Sequence, residues 1–585
     1  MSLNKGEIKM NKNVVKELQG VSEATNAMRI AYSLKRNGVK YIFGQSNPPT
    51  VTLACADIGI EQIGYRQENS GTYMAQAFAM CTNTTPVVTA QHGPAATLLV
   101  AGLAEAYKAS YPIVALVEDV SRDQEEKNAF QEIDHIELFK GVSKWTKRIP
   151  IQERIEDYID NAFRIATSGR PGPTVLLLPK DIITDTKEYA INKNRTENSG
   201  VFPLDRTTAN VLKIDEAAEL IKEAKQPFIY AGGGVISSGA QNELRELQEA
   251  CSLAVATTTM GKGAVDEDHP LSMGPIGYYM GKRGVSKHLK PMIQEADVIV
   301  LVGNRTNQNG TDSWTLLPEK AKYIHIDIDP VEIGRNYESL RLAGDAKLTL
   351  AALKERLLKK GVQKRTDARE NVEKFIQLSR DKHKEDMQEI YSAESGKIKV
   401  ERFLYEVENK LEDDHIIVAD ASISSVWNAN YLKATKDRKF IFPRGLAGLG
   451  WGMPMGMGAK IANPDRKVFC LVGDGGFGHV WSELETCKRL GIQVVIVVIN
   501  NGILGYQKYA ETAMFDRYTN ICDFSPVDHT KIAEACGVKG IKVDTIKDIP
   551  AAIDEAFQAN ETVVIDLHSD PDNVPPVGVM DDINK

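Results

Sequence analysis

Chemistry first suggests itself in residues 473–501, "GDGGFGHVWSELETCKRLGIQVVIVVINN", which join an acid in a glycine turn to an asparagine pair. "KVFCLV" is an apolar run of strand length, and Gly473-Asp474-Gly475-Gly476 follows it directly. In open parallel sheets, ligands bind beyond the carboxyl ends of strands. Glycines there let backbone amides approach a phosphate, and a helix expected from about "GHVWSELETCKRL" would turn its positive end toward an anion. "IQVVIVVI" reads as the next strand, with Asn500 and Asn501 at its own carboxyl end. Side by side, the two strands would put the Asp474 carboxylate and the Asn501 amide at one edge. With phosphates and water, such oxygen donors suit octahedral Mg²⁺. Either fragment alone also reads as an ordinary turn or strand end; the pair at this spacing carries the functional reading.

These residues need a scaffold, and alternating elements occur three times along the chain. From about residue 23 to 190, "VKYIFG", "TPVVTA", "YPIVALVED" and "PTVLLLP" alternate with amphipathic "SGTYMAQAFAM" and "IQERIEDYIDNAFRIATSG". That is the pattern of βαβ units and a parallel sheet. The polar "KEYAINKNRTENSGVFPLDRTT" reads as a linker. A second alternation runs through "PFIYAGGG", "LAVATTT", "DVIVLVGN" and "YIHIDIDP", and a third through "HIIVAD", "KVFCLVGDG", "IQVVIVVINN" and "ETVVIDLH". Between them, the charged run ending in "DKHKEDMQEIY" reads as a solvated helical connector. The expected fold is α/β with three doubly wound parallel-sheet domains. The boundaries are an N-terminal domain 1–192, a central domain 205–360, a charged helical connector 361–395 and a C-terminal domain 396–585.

At 585 residues and 42% hydrophobic, the chain has apolar material for several separate cores. Its net charge of −8, with acids and bases interspersed, offers no basic face for nucleic acid. The seven cysteines are dispersed without CxxC pairs, which argues against a disulfide framework or a zinc site. The N-terminal "MSLNKGEIKMNKNVVKELQG" is polar and Lys-rich, and no stretch approaches ~18 uninterrupted apolar residues. A cytoplasmic protein with neither nucleic-acid nor membrane partners is expected.

GDG followed by NN at this distance resembles the thiamine-diphosphate (ThDP) motif. Over nearly its whole length the chain resembles the acetolactate synthase branch of that superfamily, through "YRQENSGTYMAQAFAM" (65–80), "NAFQEIDHIELFKGVSKWTKR" (128–148), "ATSGRPGPTVLLLPKDI" (166–182) and "GLAGLGWGMPMGMGAKIANP" (445–464). The resemblance implies pyrimidine-binding, central and diphosphate-binding domains in that order. It implies that Asp474, the Asn501 side chain and the Ile503 carbonyl hold Mg²⁺, and that Gly475 and Gly476 present amides to the diphosphate. Ser422 and Ser424, in "VADASISSVW" where relatives often carry a Gly-Gln pair, become candidate phosphate donors. Leu449 matches the apolar wedge that bends the cofactor, and the Ala447 carbonyl matches the acceptor for its 4′-amino group. Glu68, in "RQEN", matches the glutamate that hydrogen-bonds pyrimidine N1′ and promotes removal of the thiazolium C2 proton. Alone, Glu68 also reads as a partner for Arg66. Because Glu68 and Asp474 lie in different domains, the family solution is a site between two subunits, which implies a homodimer at minimum; tetramers are common among relatives.

The departures concern the substrate. "FGQSNPPT" replaces a small Gly-rich loop, making Gln45, Ser46 and Asn47 candidate substrate contacts or an ordinary Asn-Pro turn. "AQHGPAA" replaces Ser-Gly-Pro-Gly and puts His92 in a cofactor loop, as a proton-transfer group or a structural histidine. Gln131 and Lys180 match residues lining the substrate entrance, and Gln131 joins Glu68 and His92 as a catalytic candidate. "NNGILGYQKYAETAMF" sets Tyr506 and Ala510 where the family has its acceptor-selecting Met and Trp. "GNRTNQNGTD" stands where flavin-binding synthases show an acidic pair followed by Arg, whereas Arg170 and "TTTMGKG" are compatible with FAD and with relatives that lack it, so FAD stays open. "AGGGVISSGA" fits nucleotide binding or strand-to-helix packing.

The leading expectation is an enzyme that uses ThDP and Mg²⁺ to decarboxylate a 2-keto acid such as pyruvate and ligate the remainder to a second carbonyl. The alternatives are a non-ligating 2-keto-acid decarboxylase, a lyase or hydrolase cleaving a C–C bond of a dione, and a catalytically silent ThDP-fold binding protein. A Rossmann dehydrogenase is disfavoured, because no complete GxGxxG follows the first strand.

Overall fold

The computed structural model describes residues 21–192, 194–362 and 366–583; the Lys-rich N-terminal stretch lies outside the described residues. Two compact units are present: Met1–Asp205 with Gly445–Ala447 and Pro454–Pro464, and Arg206–Arg444 with Gly448–Met453 and Asp465–Lys585.

The first unit is built on a six-stranded sheet. Its strands are β1 (Tyr41–Phe43), β2 (Glu61–Ile63), β3 (Val87–Ala90), β4 (Val114–Asp119), β5 (Trp145–Arg148) and β6 (Thr174–Pro179). They pair in parallel in the order β2-β1-β3-β4-β6-β5. Helices α1 (Glu68–Thr82), α2 (Pro94–Ala109) and α3 (His135–Lys140) carry the chain between strands. The stretch read as a linker contributes a strand, Glu188–Ala190, which pairs antiparallel with Glu23–Thr25.

The second unit contains two more six-stranded parallel sheets. One has β7 (Pro227–Ala231), β8 (Ala254–Thr257), β9 (Ser272–Pro275), β10 (Val298–Val302), β11 (Lys322–Asp327) and β12 (Ser339–Ala343), in the order β9-β8-β7-β10-β11-β12. Alternate residues of β10 enter opposite cores: Val298, Val300 and Val302 one, Ile299 and Leu301 the other. Both faces are therefore buried, which is why such strands are near-continuously apolar. Helix α4 (Thr366–Tyr391) follows. It is more than the solvated connector its charge suggests, because Ile376 enters one core while Met387 and Ile390 enter another.

The other sheet has β13 (Ile416–Ala419), β14 (Lys439–Ile441), β15 (Val468–Gly473), β16 (Val495–Asn500), β17 (Lys539–Val543) and β18 (Val563–His568), in the order β14-β13-β15-β16-β18-β17. Its site-bearing helices are α5 (Ile423–Tyr431), α6 (Asp474–Phe477), α7 (Glu483–Leu490) and α8 (Gly505–Phe515). The single helix expected after GDGG is split: α6 is one turn beginning at Asp474 itself, and α7 starts only at Glu483.

Candidate active site

Strand order alone marks where ligands bind. In the first unit the order reverses between β1 and β3, and in the last sheet between β13 and β15. A crevice opens at the carboxyl side of such a switch point.

At the first unit's switch, Gln45, Ser46 and Asn47 follow β1, His92 follows β3, and Glu68 begins α1 after β2. Three neighbouring strands thus deliver five candidate residues to one edge. Gly44 is required there, because a Cβ would meet Thr89 Oγ1 at 1.9 Å. Gln45 and Ser46 are exposed, and Gln45 Nε2 donates to the Tyr65 carbonyl at 3.3 Å. Glu68 is buried, and burial raises its carboxyl above the usual range.

His92 is buried with Nε2 3.1 Å from the Phe130 carbonyl. A carbonyl only accepts, so Nε2 carries the proton and Nδ1 is left as the acceptor of the neutral ring. Nδ1 has no hydrogen-bond partner among the described residues, and neither has the buried Gln131 Oε1. The two residues meet through Gly93, whose absent Cβ would lie 2.7 Å from Gln131 Cβ. Lys180 is apart from them: it is exposed at the end of β6, beyond β4 in the sheet.

Sequence reasoning missed the support beneath this loop. Gly93 N–H donates to His135 Nε2 at 2.9 Å, and His135 Nδ1 lies 3.1 Å from Asp119 Oδ1. Asp119 Oδ2 accepts from Arg148 Nε at 2.6 Å. Burial works against the Asp119 charge, but the His135 hydrogen bond and the Arg148 charge outweigh it and hold the carboxyl below its ordinary value. The one sequence signal was an acid closing the apolar "VALVED". Buried Glu105 was also missed; it accepts Gly445 N–H at 2.7 Å and Leu446 N–H, anchoring the segment that ends in Ala447. Ala447 has a φ of +62°.

In the second unit, the loops after β14, β13, β15 and β16 stand in consecutive order and carry Leu449, then Ser422 and Ser424, then Asp474 to Gly476, then Asn501 to Tyr506. β15 and β16 are hydrogen-bonded neighbours, and Asp474 Oδ2 accepts Gly502 N–H at 2.7 Å. Asp474 Oδ1 accepts Gly475 N–H at 2.8 Å, so that amide is engaged within the turn. Burial pushes Asp474 up to about 6 despite these bonds. Asn501 Oδ1 accepts Ile503 N–H at 3.2 Å. The Ile503 carbonyl accepts no hydrogen bond among the described residues: the local bridge uses the Gly502 carbonyl and the Leu504 amide on either side of it. A desolvated carboxylate after β15 and, after the neighbouring β16, an amide oxygen and an unsatisfied carbonyl fit a hard divalent cation.

Ser422 opens α5 with a φ of +64°, and Ser424 is buried, with Oγ 3.9 Å from where a Cβ on Gly473 would sit. Leu449 and Tyr506 are partly exposed. Asp420, the polar end of "HIIVAD", was unread. It accepts N–H groups from Ala421, Gly450, Trp451 and Gly452 at 2.8–3.1 Å and so holds the Leu449 loop. Gly476 is required beside it, since a Cβ would lie 2.0 Å from Asp420 Oδ2.

The central sheet's own switch point, between β7 and β10, is filled by backbone. A Cβ on Gly234 would lie 2.5 Å from Gly303 Cα, so the "AGGG" run has a packing role. Arg170 likewise has partners, Ser110 Oγ at 2.8 Å and the Tyr107 carbonyl at 3.1 Å.

Family models match at these places: the thiamine pyrophosphate enzyme N-terminal TPP-binding domain over residues 25–138, the central domain over 214–353 and the C-terminal TPP-binding domain over 420–567. The fold is thus that of ThDP enzymes. Among curated proteins, a probable acetolactate synthase large subunit of Methanocaldococcus jannaschii is 34% identical over 95% of this chain and 94% of its own length. An acetolactate synthase of Arthrospira platensis is 30% identical (94% and 95%), and the acetolactate synthase isozyme 2 large subunit of Escherichia coli is 29% identical (94% and 97%). The chain belongs to the acetolactate synthase-like branch of the thiamine pyrophosphate enzymes.

Proposed function

We propose that this enzyme decarboxylates a pyruvate-like 2-keto acid and joins the product to a second carbonyl compound, with Mg²⁺ and ThDP held at the edge carrying Asp474, Asn501 and Ile503. The observation that carries the reading is the pair of adjacent strand ends where the Asp474 carboxylate, pushed up to about 6 by desolvation, accepts the Gly502 N–H beside an unsatisfied Ile503 carbonyl. Mg²⁺ would take oxygens from Asp474, Asn501 and Ile503, and the diphosphate would meet Gly476, Ser422 and Ser424. When bound, ThDP supplies a nucleophilic carbon and an electron sink.

The protein's own residues do the rest. Burial favours the protonated form of Glu68, which can donate a hydrogen bond to a ring nitrogen. His92 Nδ1, the open acceptor of its neutral ring, can take a proton from substrate and return it, and Gln131 Oε1 can orient a donor beside it. Leu449 fills the cofactor's bend, while Gln45, Ser46, Asn47 and Tyr506 bound the substrate space. We further propose the domain division 1–192, 205–360 and 396–585 with a connector at 361–395, a homodimer or larger homo-oligomer, and a cytoplasmic setting. Among the described residues no helix is long and apolar enough to cross a membrane. Flavin is tested by the visible absorbance of purified protein.

The experiment is product identification from pyruvate with ThDP- and Mg²⁺-loaded enzyme. Acetolactate supports ligation; acetaldehyde, or cleavage of a dione, favours the non-ligating alternatives. Glu68→Gln is expected to slow C2 proton exchange roughly 10²–10⁴-fold with cofactor still bound, and Asp474→Ala to abolish Mg²⁺-dependent cofactor retention in a titration. Unchanged exchange or retention overturns the assignments.

A further inference from the structure

Among the described residues, the buried arginines all face acids. Arg29 pairs with Glu156 at 2.5 Å, Arg36 with Asp160 at 2.6 Å and Arg438 with Glu408 at 2.9 Å. That is the general condition for taking a guanidinium out of water. Arg444 is different. It follows β14 and is partly buried, with Nη1 donating to Ser425 Oγ at 3.1 Å and Nη2 donating to Tyr278 Oη at 3.0 Å. Its guanidinium lies 5.6 Å from the Tyr278 ring centroid. Among the described residues no carboxylate pairs with it.

Both hydroxyls act as acceptors toward Arg444. Ser425 passes its own proton to the Ser422 carbonyl at 2.8 Å, whereas the Tyr278 hydroxyl proton has no acceptor among the described residues. A guanidinium has five N–H donors, so the hydroxyls fix its plane without exhausting it. The surroundings tie it to the candidate site. Ser425 lies on the first turn of α5, one residue beyond Ser424. Tyr278 shares an apolar cluster with Val426 and Ile503, and Tyr506 on α8 stands within range of the Arg444 charge.

A fixed cation with spare donors, a tyrosine proton beside it and no protein anion is a receptor for a small anion. We propose that Arg444, held by Ser425 and Tyr278, binds the carboxylate of a 2-keto-acid substrate. This rests on the proposed function for the substrate's class. The shared chemistry is an oxyanion, which could instead be the cofactor's diphosphate.

The test uses holoenzyme with ThDP and Mg²⁺ and the variants Arg444→Gln, Arg444→Lys and Tyr278→Phe. Calorimetric titration with oxamate, an unreactive carboxylate of pyruvate's shape, reads the subsite without turnover. The expected result is roughly a tenfold to hundredfold loss of oxamate affinity in Arg444→Gln, partial recovery in Arg444→Lys, and a matching rise in KM for pyruvate. ThDP affinity stays as in the wild type. Unchanged oxamate affinity overturns the proposal, and a loss falling on ThDP affinity instead reassigns Arg444 to the diphosphate. If Arg444→Gln does not fold, Tyr278→Phe, which removes one donor and keeps the ring, decides by the same titration. Should wild-type enzyme make no acetolactate yet bind oxamate through Arg444, the reaction assignment falls while the subsite stands.

Discussion

Gly93 donates its N–H to His135 Nε2, and that bond settles the ring's tautomer: the proton sits on Nδ1 and is given to Asp119. His92 is the adjoining residue, so the Asp119–His135 pair positions the loop carrying the proposed proton carrier without touching substrate. His135→Ala would leave the buried Gly93 N–H unpaired and take one of two donors from Asp119 Oδ1, which keeps the Val120 N–H at 3.0 Å. Its expected cost is roughly 1–3 kcal/mol, read by denaturant unfolding, with a fall in kcat. His135→Gln keeps one acceptor and one donor and is expected to restore part of both. Rescue of kcat by Gln is the outcome that mere filling of the core would not give. This support was illegible in the sequence because Asp119, His135 and Gly93 are joined by packing rather than by spacing. Backbone conformation was equally hidden: Ser46, Gln131, Ser422 and Ala447 all have positive φ, a conformation disfavoured for side-chain-bearing residues, and all four stand at the candidate site.

The split between legible and illegible elements follows hydration. In each sheet the four inner strands were readable as apolar runs, and both outer strands were not: β2 and β5, β9 and β12, β14 and β17. Edge strands such as "EQI" and "WTKR" carry polar residues, which also discourage further pairing, and so lose the apolar signature. The Asp474–Asn501 relation was legible because both residues end inner, adjacent strands. Helix α4 was misread for the opposite reason: charge covers most of it while a narrow stripe is buried. His383 in that stripe stacks on Tyr431 with ring centroids 6.3 Å apart, and its Nδ1 has no partner among the described residues. Burial pushes His383 down to about 4 from an ordinary 6.5. Between those values the unfolded chain holds a proton that the folded one rejects, so stability falls as pH drops from about 6.5 toward 4 and is unaffected above. The change amounts to about 3 kcal/mol. Unfolding curves across this range are expected to show it, and His383→Phe, which keeps the stacking, to flatten that part of the acid limb.

At the scale of the whole molecule, the chain presents two separate carboxyl edges, one with Glu68 and His92 in the first unit and one with Asp474 and Asn501 in the second. If, as the family resemblance implies, a working site draws the first edge from one subunit and the second from its partner, neither lesion need be carried by both contributors to a site. A Glu68→Gln chain keeps Asp474, and an Asp474→Ala chain keeps Glu68. A dimer of one of each therefore has one intact site and one doubly damaged site. With random reassortment about half the dimers are mixed, as expected for a twofold assembly, so about a quarter of wild-type activity is expected on mixing two nearly inactive proteins. A site confined to one chain gives no recovery, because every chain in the mixture has lost one essential group. Activity measured after dissociation and reassociation of an equimolar mixture distinguishes the two. ThDP with Mg²⁺ should raise the melting temperature of Glu68→Gln but not of Asp474→Ala, because only ligand bound to the folded state stabilises it. Recovered activity together with that split in melting temperature would separate activation of the cofactor from its retention and assign them to different subunits.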